Sequence, residues 1–215
     1  YVTASPKLYS IGNQLGQFPA VGFHIPGEMG GIWMHPIKLA DGFAFSVNGK
    51  ELKDALHFRS YPLASQFYYE DKNLKITRTD FAVDGVPLLV SELVLRNSSD
   101  KKVTLNVSVV LHFNLMPVWL SERSGIFDGE DNCQSFSQNV ILVKDNRNQW
   151  FSAASVVGLE NQNLQDLGLK RNKRDCSING KIVILAHSER AINLFISGSM
   201  VSGSEAINNI TQNSD

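Results

Sequence analysis

The segment Val103-Thr-Leu-Asn-Val-Ser-Val-Val-Leu-His-Phe113 gives the clearest indication of the fold of this chain. Apolar residues stand at every second position of it, and the positions between them are polar except for Val110. A repeat of two places alternate side chains on opposite faces of a β-strand. The segment therefore predicts a long strand in a sheet that buries one of its faces.

Similar strands are predicted on both sides of this segment, separated by short polar turns. A strand rich in Leu and Val over 87–96 leads through the turn residues 97–101 into the central strand, which predicts a long antiparallel hairpin. The dipeptide Asn48-Gly49 tolerates positive φ at both turn positions and predicts a second hairpin. Further strands are predicted over 43–47, 66–70, 74–81, 140–143, 150–156, 181–186 and 191–196, the last two as another hairpin.

The arrangement of these strands predicts the fold class. Strands joined by short turns, with no long helix between them, are typical of an antiparallel sandwich or barrel. We expect an all-β, large antiparallel two-sheet sandwich of the supersandwich type, because the strands are numerous and long loops interrupt them. These loops cover 114–135 and 158–178, and the second is polar with room for one helical turn.

The chain is predicted to contain one complete domain. Residues 1–200 form the β-sandwich, and residues 201–215 form a linker or the start of a helix that leads to a catalytic domain outside this sequence. Ser204 is a plausible cap for that helix, because a serine hydroxyl accepts hydrogen bonds from the first backbone amides of a helix. The chain opens with Tyr1 and shows no signal peptide, as we expect of a trimmed or processed protein.

Composition and charge argue against several classes of partner. The chain is 43% hydrophobic and 19% charged, and its net charge of −1 offers no basic field to a nucleic acid. No apolar run approaches the roughly 18 residues of a membrane span. Cys133 and Cys176 either pair in an oxidising compartment or remain free thiols. The one basic cluster is either a solvated loop or a binding patch, and it comprises Lys170, Arg171, Lys173 and Arg174.

The sequence contains no familiar catalytic, metal-binding or cofactor-binding motif. Its histidines keep no zinc-ligand spacing, so we expect no metal, no cofactor and no complete active site. A glycosidase needs two carboxylates facing a sugar, but no spacing selects a pair from the acids in loop-like sequence. Trp33 and Trp119 lie in loops, where each either stacks on a sugar or packs against protein. The loop acids are Glu28, Asp41, Glu122, Asp128, Glu130 and Asp131.

Three segments together resemble the N-terminal β-sandwich of glycoside hydrolases whose catalytic domain is an (α/α)6 barrel. They are residues 27–43 (GEMGGIWMHPIKLADGF), residues 93–105 (LVLRNSSDKKVTL), and residues 115–119 with 125–129 (LMPVW and GIFDG). The closest enzyme types are glycoside hydrolase family 63 and the bacterial glycogen-debranching-like enzymes. The second segment is generic for β-sandwiches, so the first and third carry the resemblance.

The resemblance implies a non-catalytic accessory domain that supports the catalytic barrel of the same polypeptide and lends loops to its sugar pocket. It implies α-linked glucosides or related oligosaccharides as ligands and a periplasmic or secreted location. Two alternatives remain open, a free-standing carbohydrate-binding module and a self-sufficient enzyme that uses loop carboxylates. The positions expected at the sugar pocket are Glu28, Trp33, His35, Asp41, Trp119 and Asp128.

Overall fold

The structure, a computed structural model, describes residues 1–137 and 139–214 and confirms the all-β, antiparallel two-sheet sandwich. A 3-10 helix spans Ser121–Ser124, and one short C-terminal helix, α1, spans Gly203–Thr211. Residue 215, the end of the predicted linker, lies outside the described residues. The strands are β1 (Val2–Ala4), β2 (Tyr9–Ile11), β3 (Gly31–Met34), β4 (Ile37–Val47), β5 (Lys50–Glu51), β6 (His57–Ser60), β7 (Ala64–Asp71), β8 (Leu74–Ala82), β9 (Leu88–Asn97), β10 (Val103–Phe113), β11 (Asp131–Ser137), β12 (Val140–Asp145), β13 (Phe151–Val157), β14 (Glu160–Lys170), β15 (Lys173–Ile184) and β16 (Glu189–Ser199).

The strands divide into two sheets of eight strands each. In sheet A the hydrogen-bonded order is β1-β2-β3-β4-β10-β15-β14, with the short β5 paired to β4. In sheet B the order is β11-β12-β13-β16-β9-β8-β7-β6. The strand with the most regular alternation is β10, which lies inside sheet A between β4 and β15.

The main core lies between the inner faces of the two sheets. Each large apolar side chain buried there contributes about 1.5–3 kcal/mol. The alternation in β10 turns its polar residues, among them Ser108 and His112, toward the outer face of sheet A. That outer face is therefore available for a polar site. The buried residues of β10 are Leu105, Val107, Val109, Leu111 and Phe113.

Two of the predicted hairpins are wrong, because each joins strands of different sheets. Strand β9 belongs to sheet B and β10 to sheet A, and β15 and β16 are divided in the same way. The two crossing connections lie side by side, and the Asn97 side chain donates to the carbonyls of Lys101 at 2.7 Å and Leu185 at 3.0 Å. A strand with one buried face alternates apolar and polar residues whether its neighbour in sequence lies in the same sheet or in the facing sheet. The periodicity therefore cannot distinguish a hairpin from a crossover between sheets.

Both predicted long loops contain strands. Residues 158–178 hold β14 and the first part of β15, which form an antiparallel hairpin. Strand β14 is polar because it is the edge of sheet A, where most of its side chains face water. Residues 114–135 hold the 3-10 helix and the first part of β11. The prediction of a loop was therefore wrong for β14, because an edge strand can be as polar as a loop.

Helix α1 packs on the outer face of sheet B, where it buries Ala206 and Ile210. Its cap is Ser202, whose hydroxyl accepts a hydrogen bond from the Glu205 amide at 3.1 Å. The predicted cap, Ser204, lies inside the helix instead. Within the described part of the chain, no helix has the length and apolarity needed to cross a membrane.

Candidate functional site

A pocket of about 750 Å³ opens on the outer face of sheet A. Three neighbouring strands supply its floor through Ala44 on β4, His112 on β10 and Asp175 on β15. The wall loop, residues 12–30 between β2 and β3, closes one side, and the β14–β15 turn closes another. A pocket of this volume is in the range that holds a small-molecule ligand.

A buried ion pair holds the wall loop against the sandwich. The Arg78 guanidinium donates to the two carboxylate oxygens of Asp80 at 2.8 and 2.5 Å, and its Nη1 donates to the Gly16 carbonyl at 2.7 Å. The guanidinium carbon lies 4.3 Å from the ring centre of Phe43 and 5.5 Å from that of Phe18. Because a buried charge needs its partners, these bonds fix the place of the wall loop.

Asp41, one of the positions expected at the sugar pocket, lines this pocket and is the centre of a polar cluster. Its Oδ1 accepts hydrogen bonds from Lys38 Nζ at 3.0 Å and Asn114 Nδ2 at 2.8 Å, and its Oδ2 accepts one from Lys173 Nζ at 2.5 Å. Lys38 is fully buried and also donates to the Gly27 carbonyl of the wall loop. The cluster therefore joins the wall loop to β4 and β15.

The charges of this cluster stabilise one another. Burial raises the pKa of Asp41, but the Lys38 ammonium and the hydrogen bonds from Lys173 and Asn114 outweigh it and lower the pKa below its usual value. Burial lowers the pKa of Lys38, and the Asp41 carboxylate opposes that shift. An ionised Asp41 at neutral pH is able to accept hydrogen bonds, but its lone pairs are already largely engaged.

His112 and Asp175 form a hydrogen-bonded pair on the floor of the pocket. They stand opposite each other on β10 and β15, and Nδ1 of His112 lies 2.8 Å from Oδ1 of Asp175. Both side chains are partly open to solvent. A carboxylate bonded to one imidazole nitrogen orients the ring and leaves Nε2 available to a ligand. The pair is able to hold or transfer a proton, and sequence reasoning did not select either residue.

Glu28 and Trp119 do not belong to the pocket lining, and they are joined to each other through His24. The Glu28 carboxylate accepts hydrogen bonds from the backbone amides of Phe23 at 2.6 Å and His24 at 2.8 Å. Burial raises the pKa of Glu28, but these bonds and others from His24 and Ile25 lower it overall. The ring of Trp119 stacks on that of His24 at 3.4 Å between centres. Glu28 is therefore occupied in folding its own loop.

Trp33 and His35 do not line the pocket. The Trp33 ring is buried, and its Nε1 donates to the Gly30 carbonyl at 3.1 Å. That geometry matches the packing role that the sequence left open for this tryptophan. His35 is exposed beside Trp33 and Tyr9, with 6.4 Å between ring centres in each case.

Asp128 does not belong to the pocket lining and lies instead near Asp145. Its Oδ2 accepts a hydrogen bond from Asn172 at 3.1 Å, while burial, followed by the nearby Asp145 charge, raises its pKa. Asp145 accepts from the Gly129 amide at 2.9 Å and so folds the adjacent loop. Among the described residues, no group of three histidine, cysteine or acidic side chains is placed to hold a metal ion.

The basic cluster lies at the mouth of the pocket. Lys170, Arg171 and Lys173 belong to the pocket lining, and Arg174 instead pairs with Asp166 on β14. The cluster is therefore divided between a surface ion pair and the pocket. The sequence alone did not predict that this cluster lies beside β4. The β14–β15 turn comes close to β4 because β4 pairs with β10 and β10 pairs with β15.

No protein-family model and no curated protein sequence matches the chain. Solved structures of similar fold include the following three. A putative aldose 1-epimerase from Escherichia coli K12 has 7% identity and a TM-score of 0.58, with 94% of this chain and 99% of that chain covered. A galactose mutarotase-like protein from Lactobacillus casei has 8% identity and a TM-score of 0.56, with 93% and 99% covered. A galactose mutarotase related enzyme from Lactobacillus acidophilus has 9% identity and a TM-score of 0.53, with 94% and 98% covered.

At these identities the likeness shows the fold alone. The chain has a β-sandwich of the kind found in the mutarotase-like proteins. The narrower resemblance to the sandwich of glycoside hydrolase family 63 is not shown by these neighbours and stays a prediction.

Proposed function

We propose that this sandwich binds a carbohydrate in the pocket of sheet A and serves as a non-catalytic accessory domain of a glycoside hydrolase. The observation that carries the proposal is the pocket itself, which combines charged hydrogen-bonding groups with the partly exposed ring of Phe18. Sugars are bound by converging polar groups beside apolar ring surface. The fold likeness to proteins described as an aldose epimerase and mutarotase relatives supports a sugar as the ligand.

The accessory role rests on apolar side chains exposed beside the pocket. They lie on the wall loop and on residues 119–127, two segments that meet where His24 stacks on Trp119. Exposed apolar groups gathered in one region are typical of a surface that another protein domain covers. We propose the (α/α)6 barrel of the same polypeptide as that domain, with α-linked glucosides as ligands in a periplasmic or secreted enzyme. The exposed side chains are Leu15, Val21, Phe23, Ile25, Met29, Trp119, Ile126 and Phe127.

Calorimetric titration with glucose, galactose, maltose and isomaltose tests carbohydrate binding. We expect saturable binding of at least one sugar to the wild-type chain. The affinity of His112→Ala should be lower by about tenfold or more, because a buried or half-buried hydrogen bond to a ligand contributes about 1.5 kcal/mol. The matched control is His187→Ala, since His187 pairs with Asp100 at 2.7 Å outside the pocket. The absence of heat with every sugar would count against the proposal.

The natural reading frame and a surface variant test the accessory role. We expect the frame to continue for several hundred residues with paired amphipathic helices. In that longer protein, Phe23→Asp should lower hydrolysis, because Phe23 is 86% exposed on the proposed contact surface. Val201→Asp is the control, since Val201 is 74% exposed beside α1. A protein that ends with this sandwich would leave a free-standing carbohydrate-binding module as the better account.

A second candidate function is aldose epimerisation by the domain itself, and the His112–Asp175 pair is the observation that favours it. Interconversion of sugar anomers requires proton transfer, which a positioned histidine supplies. Polarimetry of freshly dissolved α-D-glucose or α-D-galactose would show faster mutarotation with the wild-type chain than with His112→Ala. Equal rates with and without the protein would exclude this candidate for those two sugars.

A further inference from the structure

Cys133 and Cys176 are the two cysteines of the chain, and both are free thiols, Cys133 partly buried and Cys176 buried. Cys133 lies on β11, the edge strand of sheet B, and Cys176 lies on β15 of sheet A. The backbone amide of Asp131 donates to the Asn172 carbonyl at 2.9 Å, which ties the start of β11 to the turn before β15. Cys133 packs against the core that contains the buried Cys176, and strands β11 and β15 are in direct contact.

We propose that these thiols form a disulfide that joins the edge of sheet B to sheet A. In the described residues, the strands β11 and β15 come together only by side-chain packing and loop contacts, since they belong to different sheets. A covalent bond there would close the open edge of the sandwich. This inference does not depend on the proposed carbohydrate binding.

The environment of the two sulfurs sets the order of the chemistry. Interaction with the Cys176 side chain lowers the pKa of Cys133, against the effect of its partial burial. The same interaction and burial raise the pKa of Cys176. Because the thiolate is the nucleophile in disulfide exchange, the partly exposed Cys133 reacts first.

The oxidant is a small-molecule disulfide such as oxidised glutathione. The Cys133 thiolate attacks one sulfur of that disulfide, which forms a mixed disulfide and releases one glutathione thiolate. Cys176 then loses its proton and attacks the Cys133 sulfur, which displaces the second glutathione thiolate. In total the protein gives up two protons and two electrons, and one glutathione disulfide becomes two glutathione thiols.

Incubation of the folded chain with oxidised glutathione, followed by denaturation with N-ethylmaleimide and mass spectrometry, tests the proposal. We expect a protein two hydrogen atoms lighter that carries no maleimide, and a Cys133–Cys176 cross-linked peptide. The Tm should rise by roughly 5–10 °C, because a disulfide closing a long loop restricts the unfolded chain.

Cys133→Ser is the control variant, because it removes the reactive thiol and leaves the buried Cys176 in place. Its Tm should be the same before and after oxidised glutathione, and it should form no internal disulfide. Two maleimide groups on treated wild-type protein, or a lower Tm of the cross-linked form, would overturn the proposal.

Discussion

Asp131 accepts a hydrogen bond from the Leu115 amide at 2.9 Å, while its other carboxylate oxygen is buried without a partner among the described residues. Burial, followed in effect by the charges of Asp128 and Asp145, raises its pKa to about 8, against the Leu115 hydrogen bond. The folded protein therefore keeps a proton on Asp131 at neutral pH that the unfolded chain releases near pH 4.

The free energy of unfolding should consequently depend on pH through Asp131. Between about pH 4 and pH 8 the unfolded state binds fewer protons at this group, so wild-type stability falls as the pH rises. Asp131→Asn should be more stable than wild type at pH 8, by up to about 5 kcal/mol, and equal to it near pH 4. Urea unfolding at both pH values measures this. Asp84→Asn, at an exposed acid, is the control, and a pH-independent difference for Asp131→Asn would contradict this expectation.

Arg78→Met should destabilise the protein by about 3–5 kcal/mol, because the buried Asp80 carboxylate loses its cation. Adding Asp80→Leu should recover most of the loss, since an apolar pair of similar volume often replaces a buried ion pair without cost. Urea unfolding measures both variants. An Arg78→Met protein within about 1 kcal/mol of wild type would show that the ion pair is not needed. Faster proteolysis within the wall loop is expected in the single variant, because Arg78 also holds Gly16.

Asp41→Asn should lower the free energy of unfolding by about 2–4 kcal/mol at pH 7, because it leaves the buried Lys38 ammonium without its carboxylate. The pKa of Asp41 is lowered in the folded state, so its contribution is present above about pH 4 and is lost as the pH falls further. The deficit of the variant should therefore shrink at pH 3. Lys173→Met, at a partly exposed lysine, is the comparison and should cost less. Equal losses at pH 3 and pH 7 would contradict this role.

Ala44→Trp should block the pocket without unfolding the protein. Ala44 faces outward from β4 on the pocket floor, so a larger side chain fills space that a ligand would occupy. Ser46→Trp places the same ring two residues further along the same face, outside this pocket. We expect sugar binding to be lost only in Ala44→Trp, with both melting temperatures close to wild type. Loss of binding in both variants would indicate a general disturbance of β4.

The two-residue periodicity predicted the long strands well, because a strand with one buried face has apolar residues at alternate positions. Strand β10 has its predicted bounds, and β9 and β12 begin within a residue of theirs. The sheet to which each strand belongs was not predictable, since facing sheets produce the same alternation. Arg78 and Asp80 were missed for a related reason: polar residues on alternate positions of β8 predict a solvent-facing row, whereas here they satisfy each other in the core.

The candidate site was only partly predictable. Asp41 reaches the pocket, but His112 and Asp175 meet through strand pairing between segments distant in sequence, and no short motif records that register. The sequence did indicate that His112 is a polar residue on the outer face of β10, where a site could form. For Trp33 the sequence left sugar stacking and packing open, and the structure places its buried ring in packing, with the indole nitrogen bonded to the Gly30 carbonyl.

NMR titration of the chain with maltose and with glucose tests most directly whether this pocket binds a carbohydrate. We expect saturable shift changes for the backbone amides of Ala44, His112 and Asp175. They should be present in Ser46→Trp and absent in Ala44→Trp. Shift changes that do not saturate, or that fall outside the pocket of sheet A, would contradict this expectation.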